Sequence, residues 1–317
     1  MIPVLISQAL TPQTRGITML GSFQPFQRAL LFAALVMASG IATAAETPAV
    51  AVSPQYDTTH VYIPPAQVNR FVASFIATFG GKSTKQFIAT VTPTPSSTST
   101  QLVFTPSGTL SVFGFRTPVP FPFGDERTGY LVTDMDQAVA AARASGAEVT
   151  VATFPDPIGR DAVIRWPGGV NMQLYWHTKA PSYDALKSVP ENRVYVSPDA
   201  VQAFVDGFVR FSHGHVVSDD ATAAGTEIGR PGSSYRRIRI ASDFGKMVVL
   251  VTDGHLPYPY GYEMTGYQVD SVTQTLKRAK ATGAQLVAGP YTADGREAAM
   301  LKFPGGYVAE IHASTTP

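Results

Sequence analysis

The sequence contains no cysteine. That excludes a disulfide framework, a thiolate nucleophile and any zinc or iron–sulfur site built on cysteine. Charge of either sign is also scarce, because 24 basic residues against 23 acidic ones leave a net charge of +1 over 317 residues. The attraction that drives binding to nucleic acid or to an anionic membrane is therefore missing, and a small molecule is the expected partner. There is no G-x-S-x-G elbow, no P-loop, no dinucleotide fingerprint and no H-E-x-x-H; each would have announced a nucleophile, a phosphate cradle or a zinc site. What the chain does have is apolar mass. Hydrophobic residues make up 44% of it, which suffices for two ordinary cores.

The longest apolar run, "ALLFAALVMASGIA" from Ala29 to Ala42, follows Arg28 and precedes the small residues "ATA" at Ala42–Ala44. A basic flank, a short apolar segment and a small-residue cleavage site, in that order, read as a secretory signal peptide. The run falls short of the roughly 20 apolar residues that span a bilayer. The expectation is a signal peptide over 1–44, removed after Ala44, giving a periplasmic or secreted product with no membrane attachment. An uncleaved anchor is the alternative, and either Met1 or Met19 could be the start.

The mature chain says much the same thing twice. "PFPFGDERTGY" from Pro120 returns as "PYPYGYEMTGY" from Pro257, and "WPGGVNMQL" from Trp166 returns as "FPGGYVAEI" from Phe303, both at an offset of 137. "HVYIPPAQVNRFVASF" from His60 returns as "RVYVSPDAVQAFVDGF" from Arg193, at an offset of 133. A period this long means a duplicated domain rather than a solenoid. Within each copy an alternating strand precedes an amphipathic helix, with Val68, Phe71, Val72, Phe75 and Phe79 at helical spacing, and short strands separated by Pro, Ser and Gly turns follow. The pattern is βαβββ, twice per copy. The predicted fold is α+β in two tandem domains, 58–178 and 193–314, with linkers over 45–57 and 179–192.

From about Thr59 to Ala313 the chain resembles the vicinal oxygen chelate superfamily, which includes glyoxalase I, bleomycin-resistance proteins and extradiol dioxygenases. The resemblance implies that paired βαβββ modules curl into half-open sheets, each forming a cup for a metal and a small substrate. It also implies three metal ligands: a His on the first strand, a His opening the fifth, and a Glu six residues past the hairpin proline. Carried over, these positions are His60, Arg127 and Gln173 in the first domain, and Arg193, Met264 and Glu310 in the second. Each triad keeps one good ligand, so neither offers the imidazole and carboxylate face that divalent metals need.

Arg193 and Glu310 are expected on adjacent strands as a buried ion pair. His60 is the first choice for a catalytic residue, with Glu310 the second; Arg127, Gln173, Arg193 and Met264 would contact ligand. Glu126 and Glu263, one residue away from Arg127 and Met264, are expected to face solvent or cap a turn. Arg237 and Arg239 are expected on a solvated sheet face, and the loop aromatics to rim a pocket or pack on a sheet edge. The functional expectation is an exported glyoxalase- or bleomycin-resistance-like protein that binds a small molecule, with no cofactor. The alternatives are a metal-dependent lyase or extradiol-type dioxygenase holding a divalent metal, and a purely structural pseudo-enzyme.

Overall fold

The computed structural model describes residues 47–315, so the predicted signal peptide lies outside the described residues. The first module runs β1 (Thr58–Tyr62), α1 (Val68–Phe79), β2 (Lys82–Ser83), β3 (Phe87–Ala89), β4 (Thr98–Thr105) and β5 (Gly108–Phe115). The second runs β6 (Thr128–Leu131), α2 (Met135–Ala144), β7 (Glu148–Asp156), β8 (Gly159–Arg165) and β9 (Asn171–His177). The second domain repeats this as β10 (Glu191–Val196), α3 (Val201–Ser212), β11 (His215–Ala224), β12 (Ser234–Ser242) and β13 (Gly245–Val251). It closes with β14 (Met264–Gln268), α4 (Val272–Ala281), β15 (Gln285–Ala293), β16 (Arg296–Lys302) and β17 (Val308–Ser314). Strand β10 starts at Glu191, inside the predicted linker.

Each helix forms because its apolar residues fall on one stripe and its start is signalled locally. Asp134 accepts a hydrogen bond from Gln137 N at 2.8 Å at the head of α2, and Ser271 accepts one from Gln274 N at 3.3 Å at the head of α4; such caps satisfy amide groups that the helix leaves free.

The strands make one curled sheet per domain, in the order β2-β4-β5-β1-β6-β9-β8-β7 with β3 added on β4, and β11-β12-β13-β10-β14-β17-β16-β15. Strand alternation divides each sheet into two faces. Val61, Val103, Leu110 and Val112 face the helices and join a core that also holds Phe71 and Phe75 of α1 and Leu276 of α4. A second core joins α2 and Trp166 to Phe204, Phe208 and Phe211 of α3. Both cores draw on both domains, which therefore pack together through their helices, and the described residues lie in one compact unit. Buried polar contacts stitch the seam, including Thr59 to Thr265 at 3.2 Å and Thr128 to Asn192 at 2.5 Å. The opposite face of each sheet, carrying His60 in one domain and Arg193 in the other, is left to form the inside of a cup.

Candidate functional site

The two cups have different contents. In the first, His60 and Tyr62 project from β1, Ser111 and Phe113 from β5, and Gln173, Tyr175 and His177 from β9 around a cavity of about 270 Å³. Its walls are mostly aromatic or aliphatic. His60 is buried and its Nδ1 lies 3.4 Å from Glu126 Oε1. Glu126 is wholly buried; it also accepts hydrogen bonds from the Tyr62 hydroxyl and from Gly124 N at 3.1 Å. Burial, with the Glu126 carboxylate beside it, holds the Tyr62 phenol well above its ordinary range. A carboxylate at one imidazole nitrogen fixes the ring and favours the tautomer whose lone pair is on the other. His60 Nε2 is thus directed over Gly129, where an ideal Cβ would stand only 2.5 Å away.

Asp161 on β8 also lines this cavity, 5% exposed and with no side-chain hydrogen bond among the described residues. Burial, reinforced by the negative charges of Asp156 and Glu126, pushes its carboxyl well above the usual carboxylate range. The cup is therefore lined by both a carboxylic acid that favours its neutral form and the His60 imidazole. Burial lowers the basicity of His177, with Asp156 opposing the effect.

The second cup is filled. Arg193 Nη1 lies 3.5 Å from Glu310 Oε1, and Glu310 Oε2 lies 2.8 Å from His312 Nδ1, all three buried. Glu191 accepts from Arg296 Nη1 at 2.9 Å with both oxygens. Burial alone would raise Glu191, but His312, Arg296 and Arg239 outweigh it and hold the carboxyl at about 2. Arg237 pairs with Glu227 at 2.6 Å and Asp294 at 3.0 Å. Met264 packs with Tyr260 and Met300, and the 3-10 turn Gly225–Ile228 after β11 touches β15 at the other edge of the sheet. Charge pairs and apolar side chains take the space that is open in domain 1.

No family model and no curated protein matches the sequence. Solved structures do match. A variant of 4-hydroxymandelate synthase from Streptomyces coelicolor superposes with a TM-score of 0.53 at 12% identity, covering 81% of this chain and 91% of that one. Homoprotocatechuate 2,3-dioxygenase from Arthrobacter globiformis gives 0.52 at 11%, covering 84% and 82%. The Mn(II)-bound glyoxalase from Novosphingobium aromaticivorans gives 0.51 at 13%, covering 83% of each. The chain has the tandem vicinal oxygen chelate fold. In that fold the three ligand positions lie on the first strand of a domain and on the first and last strands of its second module.

Sheet register identifies those positions here. Gly129 pairs with Gln173 and with Thr58, and Gly266 pairs with Glu310 and with Glu191. Met264 in turn pairs with Arg193, and His60 N donates to the Arg127 carbonyl at 2.9 Å, so Arg127 and Met264 lie opposite the first-strand residue of each domain and the glycines opposite the last-strand one. Arg127 is absent from the lining of the first cavity; its guanidinium is bound to the carbonyls of Gly124 and Glu126. Arg127 and Met264 together line a second pocket with His60 and Tyr62. The same glycines correct the strand order: β14 lies between Arg193 and Glu310, which are not on adjacent strands and meet across Gly266. An ideal Cβ there would be 2.7 Å from Glu310 Oε2 and 3.2 Å from Arg193 Cδ.

His60 and Gln173 line the first cavity as expected, and Arg193 pairs with Glu310 as expected. Glu126 caps the loop turn through Gly124 N, one of its two expected roles, but it is buried behind His60 rather than solvated. Arg237 is corrected likewise, at 4% exposure within an ion network. Phe121, Tyr258 and Tyr262 are exposed while Phe123 and Tyr260 are buried, so the loop aromatics divide between both expected uses. Asp161 was missed: "GRDAVIR" gives no sign that its single acid faces inward, although its alternation with the buried Val163 could have raised it.

Neither donor set fits a divalent metal. Domain 1 presents His60 and Gln173, with the Arg127 guanidinium on backbone carbonyls; domain 2 presents Met264 and a carboxylate already paired with Arg193. Among the described residues no group of three His, Cys, Asp or Glu is placed to hold a metal ion.

Proposed function

We propose that the protein binds a small, largely apolar molecule in the domain 1 cup without a metal, and presents to it the Nε2 of His60 as acceptor or base. One observation carries this reading: matching positions line an open cavity in domain 1 and are filled by ion pairs in domain 2. At about 270 Å³ the cavity is near the lower bound of small-molecule sites, roughly 300 Å³, which suits a single-ring ligand. Glu126 orients the imidazole, and Asp161 supplies a proton donor from a second side. Such a pair moves a proton between two atoms of a ligand, the chemistry of a cofactor-free isomerase or lyase.

A metal-dependent lyase or dioxygenase is the second reading. The solved neighbours favour it, since they include a 2,3-dioxygenase and a Mn(II)-bound glyoxalase. The ligand positions of this chain oppose it.

Protein-observed NMR with phenol, benzaldehyde and benzylamine tests the site. Shifts should cluster on β1, β5, β8 and β9 and disappear in Ser111→Trp, whose indole would fill the cavity. Shifts confined to domain 2, or none with any probe, would refute the assignment.

The export reading joins this proposal, supported by the order of basic, apolar and small residues over 28–44. Intact mass of the protein from its native source should begin at Ala45; a product retaining Ala29–Ile41 would contradict export with cleavage.

A further inference from the structure

The side chains that line the first cavity include two carboxyls, Asp156 and Asp161, and neither a lysine nor an arginine. A third carboxyl, Glu126, stands directly behind Tyr62 and His60. The Arg127 guanidinium is bound to the carbonyls of Gly124 and Glu126, and that of Arg160, next to Asp161 in sequence, lies over the Trp176 ring and pairs with Asp136. The walls carry six aromatic rings, those of Tyr62, Phe87, Phe113, Phe123, Tyr175 and Tyr183. Tyr62, Phe113 and Phe115 are packed as one group, with ring centroids 5.1 and 6.0 Å from Tyr62.

Asp161 gives this lining a direction. Buried polar groups normally find partners, yet the Asp161 carboxyl, at 5% exposure, has no side-chain hydrogen bond among the described residues and lines the cavity. Its counterpart in the filled cup, at the same offset of 137, is Ala298. The acid is therefore peculiar to the open cup. An aromatic wall attracts a cation through the negative faces of its rings, and a cation bound beside Asp161 would draw its acid into the ionised form and pair with it more strongly than in water. An anion would meet two lining carboxyls and no lining lysine or arginine, whereas a neutral ligand would leave the Asp161 carboxyl in its neutral form.

We infer that the domain 1 cup selects an organic cation, a protonated or quaternary amine on a single-ring or similarly compact apolar body, with Asp161 as its counter-ion. This rests on the proposed binding function of the same cup. It assigns Asp161 as the residue that sets charge specificity, while His60 acts on whatever part of the ligand reaches the floor beside Gly129.

Isothermal titration of the full mature chain with benzyltrimethylammonium, its uncharged carbon analogue neopentylbenzene and the anion phenylacetate tests the inference. The cation should bind about ten-fold or more tighter than the neutral analogue, and phenylacetate should bind most weakly. In Asp161→Asn, which keeps the shape, the preference of cation over neutral analogue should vanish while the neutral analogue binds unchanged. Asp156→Asn, at the rim, should reduce the preference only partly. Equal or tighter binding of the neutral or anionic probe would overturn cation selectivity and leave the cup as a binding site. Binding of no probe would overturn both. A cation preference that survives in Asp161→Asn would overturn the counter-ion assignment.

Discussion

At the scale of single residues, the two cups differ by where charge is compensated. Asp161 is buried without a partner, and its folded pKa is raised above the unfolded value of about 4. Above that value the unfolded chain has released a proton that the native state retains, so the residue lowers stability as pH rises from about 4 toward the folded pKa. Asp161→Asn should therefore raise the melting temperature by a few degrees at pH 7 and leave it unchanged at pH 3. A loss of stability at pH 7 would show that the carboxylate is compensated after all. Glu310 has the opposite sign. Burial pushes it up, but Arg193 and His312 outweigh burial and depress it, so its contribution is present above an unfolded value of about 4.3 and is lost as pH falls through the folded pKa. Arg193→Met should cost about 3–5 kcal/mol at pH 7, because it strands a buried carboxylate. Measured by urea unfolding, the cost should shrink as pH is lowered and Glu310 protonates, and the same variant should still bind probes in the domain 1 cup.

At the scale of elements, the repeated loop shows what a sequence can and cannot reveal. "PFPFGDE" and "PYPYGYE" recur because each delivers the chain to the first strand of a second module, and the offset of 137 places Glu263 where Glu126 stands. Their surroundings differ. Glu126 accepts from Tyr62 and Gly124 and faces His60, whereas Glu263 Oε1 has no hydrogen-bond partner, and burial, opposed by Arg127 and reinforced by Glu126, pushes that carboxyl to about 8. The helices and strands were legible because periodicity and punctuation are local properties, recorded in residues such as Val68, Phe71, Phe75 and the Pro-Gly-Gly turns. His60, Gln173, Arg193 and Glu310 were legible through the resemblance to the vicinal oxygen chelate superfamily, whose ligand positions they occupy, and strand alternation turns them inward. The loop residues were not, since the chain enters β6 through an irregular turn in which alternation does not hold. Gly129 and Gly266 escaped notice for a related reason: their role is to leave space that the His60 ring of β1, or Arg193 of β10 and Glu310 of β17, occupies.

At the scale of the whole molecule, a duplicated fold has been put to two uses. The domains share both hydrophobic cores, each drawing residues from both. One is held shut by its own ions and lends its helices to the common core; the other keeps a cavity lined by aromatics and acids. The account depends on the claim that neither cup is a metal site, against the metal chemistry named for the solved neighbours. Elemental analysis of protein purified without affinity-tag metals, followed by titration of the same sample with Fe(II), Zn(II), Ni(II) and Mn(II), tests that claim most directly. The account predicts no stoichiometric ion at isolation and no saturable tight binding of any of the four. One tightly held ion per chain, lost in His60→Ala or in Glu310→Ala, would contradict it and establish a metal-dependent enzyme in its place.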